Sequence, residues 1–464
     1  MTIPSPIHAI LIGAGQRGAD VYGLYAQHHP DQIRFAAVAE PDPARRTRFA
    51  EQHQIPPQNQ FESWEPLLAQ PQFAQAAFVC TQDGQHTAPA LAAMHAGYAV
   101  LLEKPMATTA EECIQLVRAS EETGRPLHIS HVLRYTKHFV KMREIIQSGA
   151  LGQIVTVDHR ENVSWWHMVH SYVRGNWRNS GESSPMILAK CCHDLDILLW
   201  LLDGHCVSLS SVGGLMHYRA ENAPEGAPTR CLDGCPAADT CPYYAPFIYI
   251  DLLPLWRAIA DTGSGLPKLT ASAQIRAPEL VRFFSNIYPE LRRMSEYRGW
   301  PRSVVTHAPT SENLLEALRT GPYGRCVYHC DNNVVDHQVV AMQFSGGQSV
   351  TLTMHGHSHY EGRTTRIQGS RAELQSFFGT GGAWIGVCDH RTGRRTRYNT
   401  SADLKDGHGG GDQGLMEGFV RSIREGGKNA RSTARQSLES HLMAFAAEQA
   451  RVEGRVIHLE ANHA

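Results

Sequence analysis

ILIGAGQRG, residues 10–18, is a run of small apolar residues that ends in a glycine turn, and the residues after it have helix-forming composition. The order is strand, tight turn, helix. In Gly13-Ala14-Gly15-Gln16-Arg17-Gly18 the first glycine permits the turn, the second admits a pyrophosphate close to the backbone, and the third lets helix and strand pack. The helix N-terminus then offers unpaired N–H groups and a positive dipole end to phosphates. A second apolar run, residues 33–39, ends in Glu40, where a carboxylate accepts from adenosine ribose hydroxyls. An acid there repels a 2′-phosphate, which favours NAD over NADP, although Arg45 and Arg46 follow closely. The fold class expected is α/β, with an N-terminal Rossmann dinucleotide-binding domain.

At 464 residues the chain is long enough for two or three domains. With 43 Lys and Arg against 45 Asp and Glu there is no basic stripe for nucleic acid, and no apolar run reaches the about 20 residues that span a bilayer. MTIPSPIHAILIG lacks a charged leader and runs straight into the glycine turn, so it reads as a first strand and not as a signal peptide. Eleven cysteines, an odd number within helical and strand patterns, fit reduced thiols and a cytoplasmic location.

Further along, residues 72–80 climb to a buried strand ending at Thr81-Gln82-Asp83, and His86 opens an alanine-rich helix that Gly97 stops. Residues 98–102 form the next strand and deliver Glu103-Lys104-Pro105-Met106; a last strand, residues 126–130, precedes His131, Arg134 and Tyr135. Ligands bind at the carboxyl ends of strands in open α/β sheets, so Gly13, Gly15, Gln16, Arg17, Gly18, Glu40, Thr81, His86, Glu103 and Lys104 are expected around one cofactor crevice. A lysine at a strand end in a partly dry crevice can have its pKa lowered and relay the proton of a hydroxyl being oxidised, with Glu103 orienting it.

GAGQRG, the acid-ended second strand, Glu103-Lys104-Pro105 and a downstream His193-Asp194-Leu195-Asp196 together resemble the Gfo/Idh/MocA family of glucose-fructose oxidoreductase-like and inositol dehydrogenase-like proteins. The match in pattern covers residues 7 to 204 and, more loosely, the chain to about 450. The resemblance implies that Lys104 lies beside the nicotinamide and the reacting hydroxyl, and that His193 is catalytic or substrate-binding. It also implies a nucleotide domain over residues 1–150, then a second α+β domain, 151–464, with a large, mostly antiparallel open sheet through which related proteins pair as homodimers or homotetramers. Family members commonly carry an aspartate four residues before the histidine; here that position is Ala189, with Lys190 beside it.

Residues 186–202, MILAKCCHDLDILLWLL, read as one helix whose leucines pack inward while Lys190 and His193 face a cavity. Lys104, Lys190, His193 and Tyr172 are the catalytic candidates. The preceding segment has little regular period and carries His167, His170, Tyr172, Arg174 and Trp177; rings and guanidinia on a loop suit a carbohydrate pocket. Those residues, with His131, Arg134 and His408 of the glycine-rich loop 408–412, are the expected substrate contacts. Residues 217–245 form an irregular, Pro- and Gly-rich insertion where His217, Cys231, Cys235 and Cys241 are expected to hold a structural zinc. His355, His357 and His359 alternate at strand spacing and share a face.

The reading that joins these is an NAD-dependent oxidoreductase acting on a secondary hydroxyl of a sugar, polyol or glycoside. The alternative is an NAD-dependent glycoside hydrolase, as some relatives in that family are, which oxidises a ring hydroxyl transiently, eliminates the aglycone, adds water and returns the hydride. A non-catalytic nucleotide sensor is the third reading, disfavoured because Lys104 and His193 are both present.

Overall fold

Apolar strands of two to seven residues, three of them buried along their whole length, stack into a parallel sheet in the order β3-β2-β1-β4-β5-β6. They are β1 (Ile7–Ile12), β2 (Ile33–Ala39), the two-residue β3 (Gln60–Phe61), β4 (Ala76–Val79), β5 (Ala99–Leu102) and β6 (Leu127–Ile129). This strand order reverses beside β1, so the crevice at the carboxyl ends of β1 and β4 is the topological switch point. The computed structural model describes residues 5–263, 265–285, 287–288, 291–292, 296–401, 407–427 and 431–460.

The second sheet has nine strands in the order β14-β13-β12-β11-β7-β10-β9-β8-β15. β7 (Ile154–Ser164) is its spine, parallel to β10 (Ser349–Ser358) and antiparallel to β11 (Gly362–Gly369). β8 (Cys206–Gly214), β9 (His337–Phe344), β12 (Ala372–Gly379), β13 (Gly382–Asp389), β14 (Arg395–Asn399) and β15 (Ile457–His458) complete it. Its inner face, with Val157, Val340, Met342, Leu352, Met354 and Leu374, shares one core with the helix Cys192–Leu202, which also packs on the late helix Ala434–Glu453 and on the turn Val132–Tyr135 that follows β6.

Two helices near the end of the chain, Gly411–Arg424 and Ala434–Glu453, return to the first sheet. Leu415, Met416, Phe419 and Val420 enter the core built on β1 and β2, while Ala434 and Leu438 enter the core built on β4 and β5. Ile129 donates to the Ser432 carbonyl at 2.9 Å, so the chain also adds a short pairing at the β6 edge.

Several local expectations are corrected. The helix after the glycine turn begins π-helical over Gln16–Gly23 before the α-helix Leu24–His28. The stretch 186–202 is two helices, Met186–Ala189 and Cys192–Leu202, broken at Lys190, whose side chain is held by two carboxylates described below. The aromatic segment is helical over Trp165–Met168 and Val169–Arg174; residues 169–174 are all buried, and a buried backbone must be paired internally. Arg325 forms an isolated bridge with Arg230, and the chain then turns over residues 327–328. A further helix spans Pro278–Ser285.

Candidate active site

Gly13 sits at φ +94°, and a Cβ there would lie 2.5 Å from the Cys80 carbonyl oxygen, so turn geometry and strand packing both demand glycine. Gly18 is likewise closed by the Gly13 carbonyl. Gly15 differs: nothing lies within 4 Å of the Cβ it lacks. Its side of the loop is open, which is the cradle a pyrophosphate requires at the start of the helix. Glu40, 4 % exposed, accepts from the backbone N–H of Ala14 at 2.7 Å and of Asp42 at 3.0 Å, fixing the turn to the end of β2. Its carboxylate oxygens keep lone pairs for a ribose hydroxyl. Arg46 donates to the Glu40 carbonyl and approaches Glu62.

Glu103 organises the floor. Its carboxylate takes Arg17 Nε at 2.6 Å, the Tyr22 hydroxyl and Ser130 Oγ at 2.8 Å. Burial alone would raise its pKa, but Arg17 and these hydrogen bonds outweigh burial and hold the carboxyl below its usual range. Arg17 reaches on to Asp412 at 2.8 Å, and Asp412 accepts from or pairs with His408 Nδ1 at 2.9 Å. His408 stands at φ +48° on the described part of the glycine loop. Thr81 bonds the Gln85 carbonyl, and His86 joins the Pro105 carbonyl (2.6 Å) to that of Thr81 (3.2 Å); His86 is buried and braces the loop. Gln16 is exposed at the rim.

Lys104 reaches from the end of β5 to the helix Met186–Ala189. Its Nζ donates to the Ala189 carbonyl at 2.8 Å, at the break between the two helices, and lies 6.0 Å from the Trp177 ring centroid. His193 is in the first turn of the next helix, 7 % exposed, with Nδ1 buried and unpartnered. Burial first, then Lys104, His131, Arg363 and His408, holds its imidazole well below the ordinary range. It is therefore neutral. His131 packs 5.6 Å from the His193 ring, is fully buried and likewise held neutral by burial and by Arg134 and Lys104.

On the wall formed by β7 and β11, Lys190 Nζ contacts Glu361 at 2.9 Å and Glu161 at 3.3 Å. Glu361 also takes His167 Nδ1 at 3.0 Å and Ser164 Oγ at 2.9 Å. Arg363 spans Asp194 (2.7 Å) and Glu161 (2.7 Å), and His159 Nε2 meets Asp194 at 2.9 Å. Burial pushes Glu161 up to about 7 despite both cations, whereas opposite charge keeps Lys190 above its usual value. Tyr172 is 3 % exposed, its ring 6.1 Å from His167, and burial raises its phenol. Glu161, Glu361 and Arg363 were not singled out from the sequence. His159 and Glu161 at i and i+2 of an alternating strand, on the face shared with Val157 and Val163, were the available signal.

Three expected substrate contacts are committed elsewhere, and a fourth, Trp177, has its ring nitrogen tied up while its ring stays beside Lys104. Arg134, 3 % exposed, makes a bidentate pair with Asp196 (2.7 Å twice) and caps the Arg431 carbonyl at 2.6 Å. His170 stacks on Tyr323 at 4.9 Å beside Trp300 and bonds the Tyr249 hydroxyl. Arg174 is fully buried against the carbonyls of Arg325 and Tyr243. Trp177 Nε1 donates to Asp83 at 2.9 Å, locking the aromatic segment to the first domain. His131, His167 and His408 remain near Lys104, Lys190 and His193.

The expected metal set is not assembled. His217 packs among Tyr218, Tyr243, Tyr328 and His357, away from the thiols, because the aromatic cluster holds its ring. Among the described residues no three His, Cys, Asp or Glu side chains stand at metal-ligand spacing. His355, His357 and His359 have separate partners: Asn162, Asp336 and Asp261.

Residues 7–131 match the family described as "Oxidoreductase family, NAD-binding Rossmann fold", and residues 139–228 match the "GFO/IDH/MocA C-terminal domain". Inositol 2-dehydrogenase 2 of Saccharopolyspora erythraea is 32% identical over 142 residues, 29% of this chain and 37% of that protein. Inositol 2-dehydrogenase of Acidothermus cellulolyticus is 29% identical over 223 residues, 45% of this chain and 58% of that protein. The chain thus matches less than two thirds of the length of either relative. A levoglucosan dehydrogenase solved with NADH and levoglucosan superposes with a TM-score of 0.66 at 15% identity, over 98% of this chain and 100% of that one, a likeness of fold.

Proposed function

Since the chain belongs to the Gfo/Idh/MocA oxidoreductase family, we propose that it is an NAD-dependent dehydrogenase acting on a secondary hydroxyl of a sugar, polyol or glycoside. The observation that carries this reading is that Lys104, from the end of β5, reaches the break just before the helix that carries a neutral, buried His193. The chemistry NAD⁺ supplies when bound is uptake of a hydride.

The protein's own groups deal with the proton. Lys104 spends one N–H on the Ala189 carbonyl, so two remain to hydrogen-bond the substrate oxygen and stabilise its developing negative charge. His193, deprotonated, accepts the hydroxyl proton. Glu103 holds Arg17, the end of β5 and, through Ser130, β6, which keeps Lys104 in place. His167, Lys190 and Glu361 supply donors and acceptors for further hydroxyls. Eleven unpaired cysteines support a reducing, cytoplasmic setting, and the exposed cross-strand neighbours Val212 and Val339 support pairing of copies through the outer face of the second sheet.

One observation favours the glycosidase alternative. Tyr172 lies against Lys190, whose two carboxylate partners include one poised near neutrality, and this acid–base set exceeds what oxidation of one hydroxyl needs. The test follows NADH absorbance and aglycone release together, over free sugars, polyols and aryl glycosides. NADH growing in step with consumption of a free sugar or polyol is expected. Aglycone released in many-fold excess over trace NAD, without NADH, replaces the dehydrogenase reading with the hydrolase; silence in both channels with NAD bound removes both.

A further inference from the structure

Five cysteines fall in one corner of the second domain, remote from the crevice. Cys231, Cys235, Cys241 and Cys326 all line a void of about 10 Å³, enough for one water-sized sphere. Backbone pairing sets two of them side by side: Cys231 N–H donates to the Gly324 carbonyl, and Cys326 N–H to the Thr229 carbonyl, each at 2.9 Å. Cys330 turns away and donates to the Cys326 carbonyl.

The same void is lined by Arg174, which is 0 % exposed. Its Nε and Nη2 donate to carbonyls, Nη2 also lies 3.4 Å from the Cys231 sulfur, and Nη1 has no partner. No carboxylate pairs with it among the described residues. A buried guanidinium without an anion is costly by several kcal/mol, and the side chains that neutral thiols present do not offset it. Four thiolates around a divalent ion carry two net negative charges and would offset it, with N–H···S contacts of the kind that support metal sites.

We propose that Cys231, Cys235, Cys241 and Cys326 form a tetrahedral zinc site for which Arg174 is the buried counter-cation. The thiols line one void without converging to metal-ligand spacing; closing on an ion calls for χ1 rotations, each of which moves a cysteine sulfur by about 3 Å. The role is structural. The stretch between β8 and the helix Ala245–Tyr249 has a single three-residue helical turn, Ala220–Asn222, and so little core of its own. A metal ion would tie it to the segment after the helix Ser311–Thr320, whereas a closed four-sulfur shell leaves no position for substrate.

The experiment is metal analysis of the full-length chain purified from zinc-supplemented cells. About one zinc per chain is expected, released stoichiometrically on titration of four thiols with a mercurial, and retained by His217→Ala. Cys241→Ser and Cys326→Ser should each lose it. Cobalt exchanged into the wild-type chain should give sulfur-to-metal charge transfer and tetrahedral d–d bands, a readout independent of whether the variants fold. A well-folded wild-type chain with less than about one tenth of an equivalent of zinc, or iron with acid-labile sulfide in its place, or full zinc in both serine variants, overturns the proposal.

Discussion

His170 separates a substrate contact from a packing residue. It is 2 % exposed, stacked on Tyr323 and bonded to Tyr249, and burial pushes its imidazole down to about 3. In the unfolded chain the same group titrates near about 6.5. Between pH 7.5 and 5.5 the unfolded state therefore takes up almost one proton at this position and the folded state almost none. Linkage gives the sign: a histidine whose folded pKa is depressed costs stability as pH falls through the unfolded value, and over those two units the cost is about 1.4 kcal/mol. His170→Phe keeps the stacked ring and removes the titration. Urea unfolding of wild type and variant at both pH values, at one ionic strength, should show the wild-type loss exceeding that of the variant by about 1.4 kcal/mol, whatever the variant does at pH 7.5. Equal losses would mean that His170 ionises as it does in water, facing open space as a substrate contact would.

Lys104→Met should lower kcat by about 10²–10⁴ with little change in NAD affinity, because the lost cation acts on the substrate oxygen; turnover and calorimetric titration with NADH check both halves. Gly15→Ala should leave the unfolding midpoint where it is, since no protein atom is near the added methyl, yet weaken NADH binding about tenfold or more by filling the cradle. Arg134→Met should cost about 3–5 kcal/mol by stranding the buried Asp196 carboxylate, and the double change with Asp196→Leu should recover most of it; a rise in substrate KM in folded Arg134→Met protein would restore Arg134 as a substrate contact.

The cofactor half of the site was legible because its residues are set by local backbone demands. Glycines 13, 15 and 18, the acid after β2 and the lysine after β5 sit at strand ends that apolar runs announce. The wall of the second sheet was not, because Lys190, Glu161, Glu361 and Arg363 come together only through the register of β7 with β11, which no local pattern records. The same histidines and arginines that suit a sugar pocket also suit a buried stack or a carbonyl cap, and His170, Arg134 and Arg174 were taken by those partners. Cys326 and Cys330 repeat the three-residue gap of Cys231 and Cys235, the one trace in the sequence that a remote cysteine joins the insertion.

The return of the two late helices to the first sheet sets the timing of synthesis. When β6 leaves the ribosome, the sheet it completes still lacks the side chains of Leu415, Phe419 and Leu438, and its edge still lacks Ser432. Roughly 300 residues separate Ile129 from Ala434, about 15–60 s of translation at ordinary rates. For that interval the nascent nucleotide domain carries a bare apolar face and an open strand edge, both of which invite association with other chains. Chaperone dependence should therefore be read out on stalled chains that end before residue 411, where every strand of the second sheet but β15 is present and the first sheet still lacks its two covering helices.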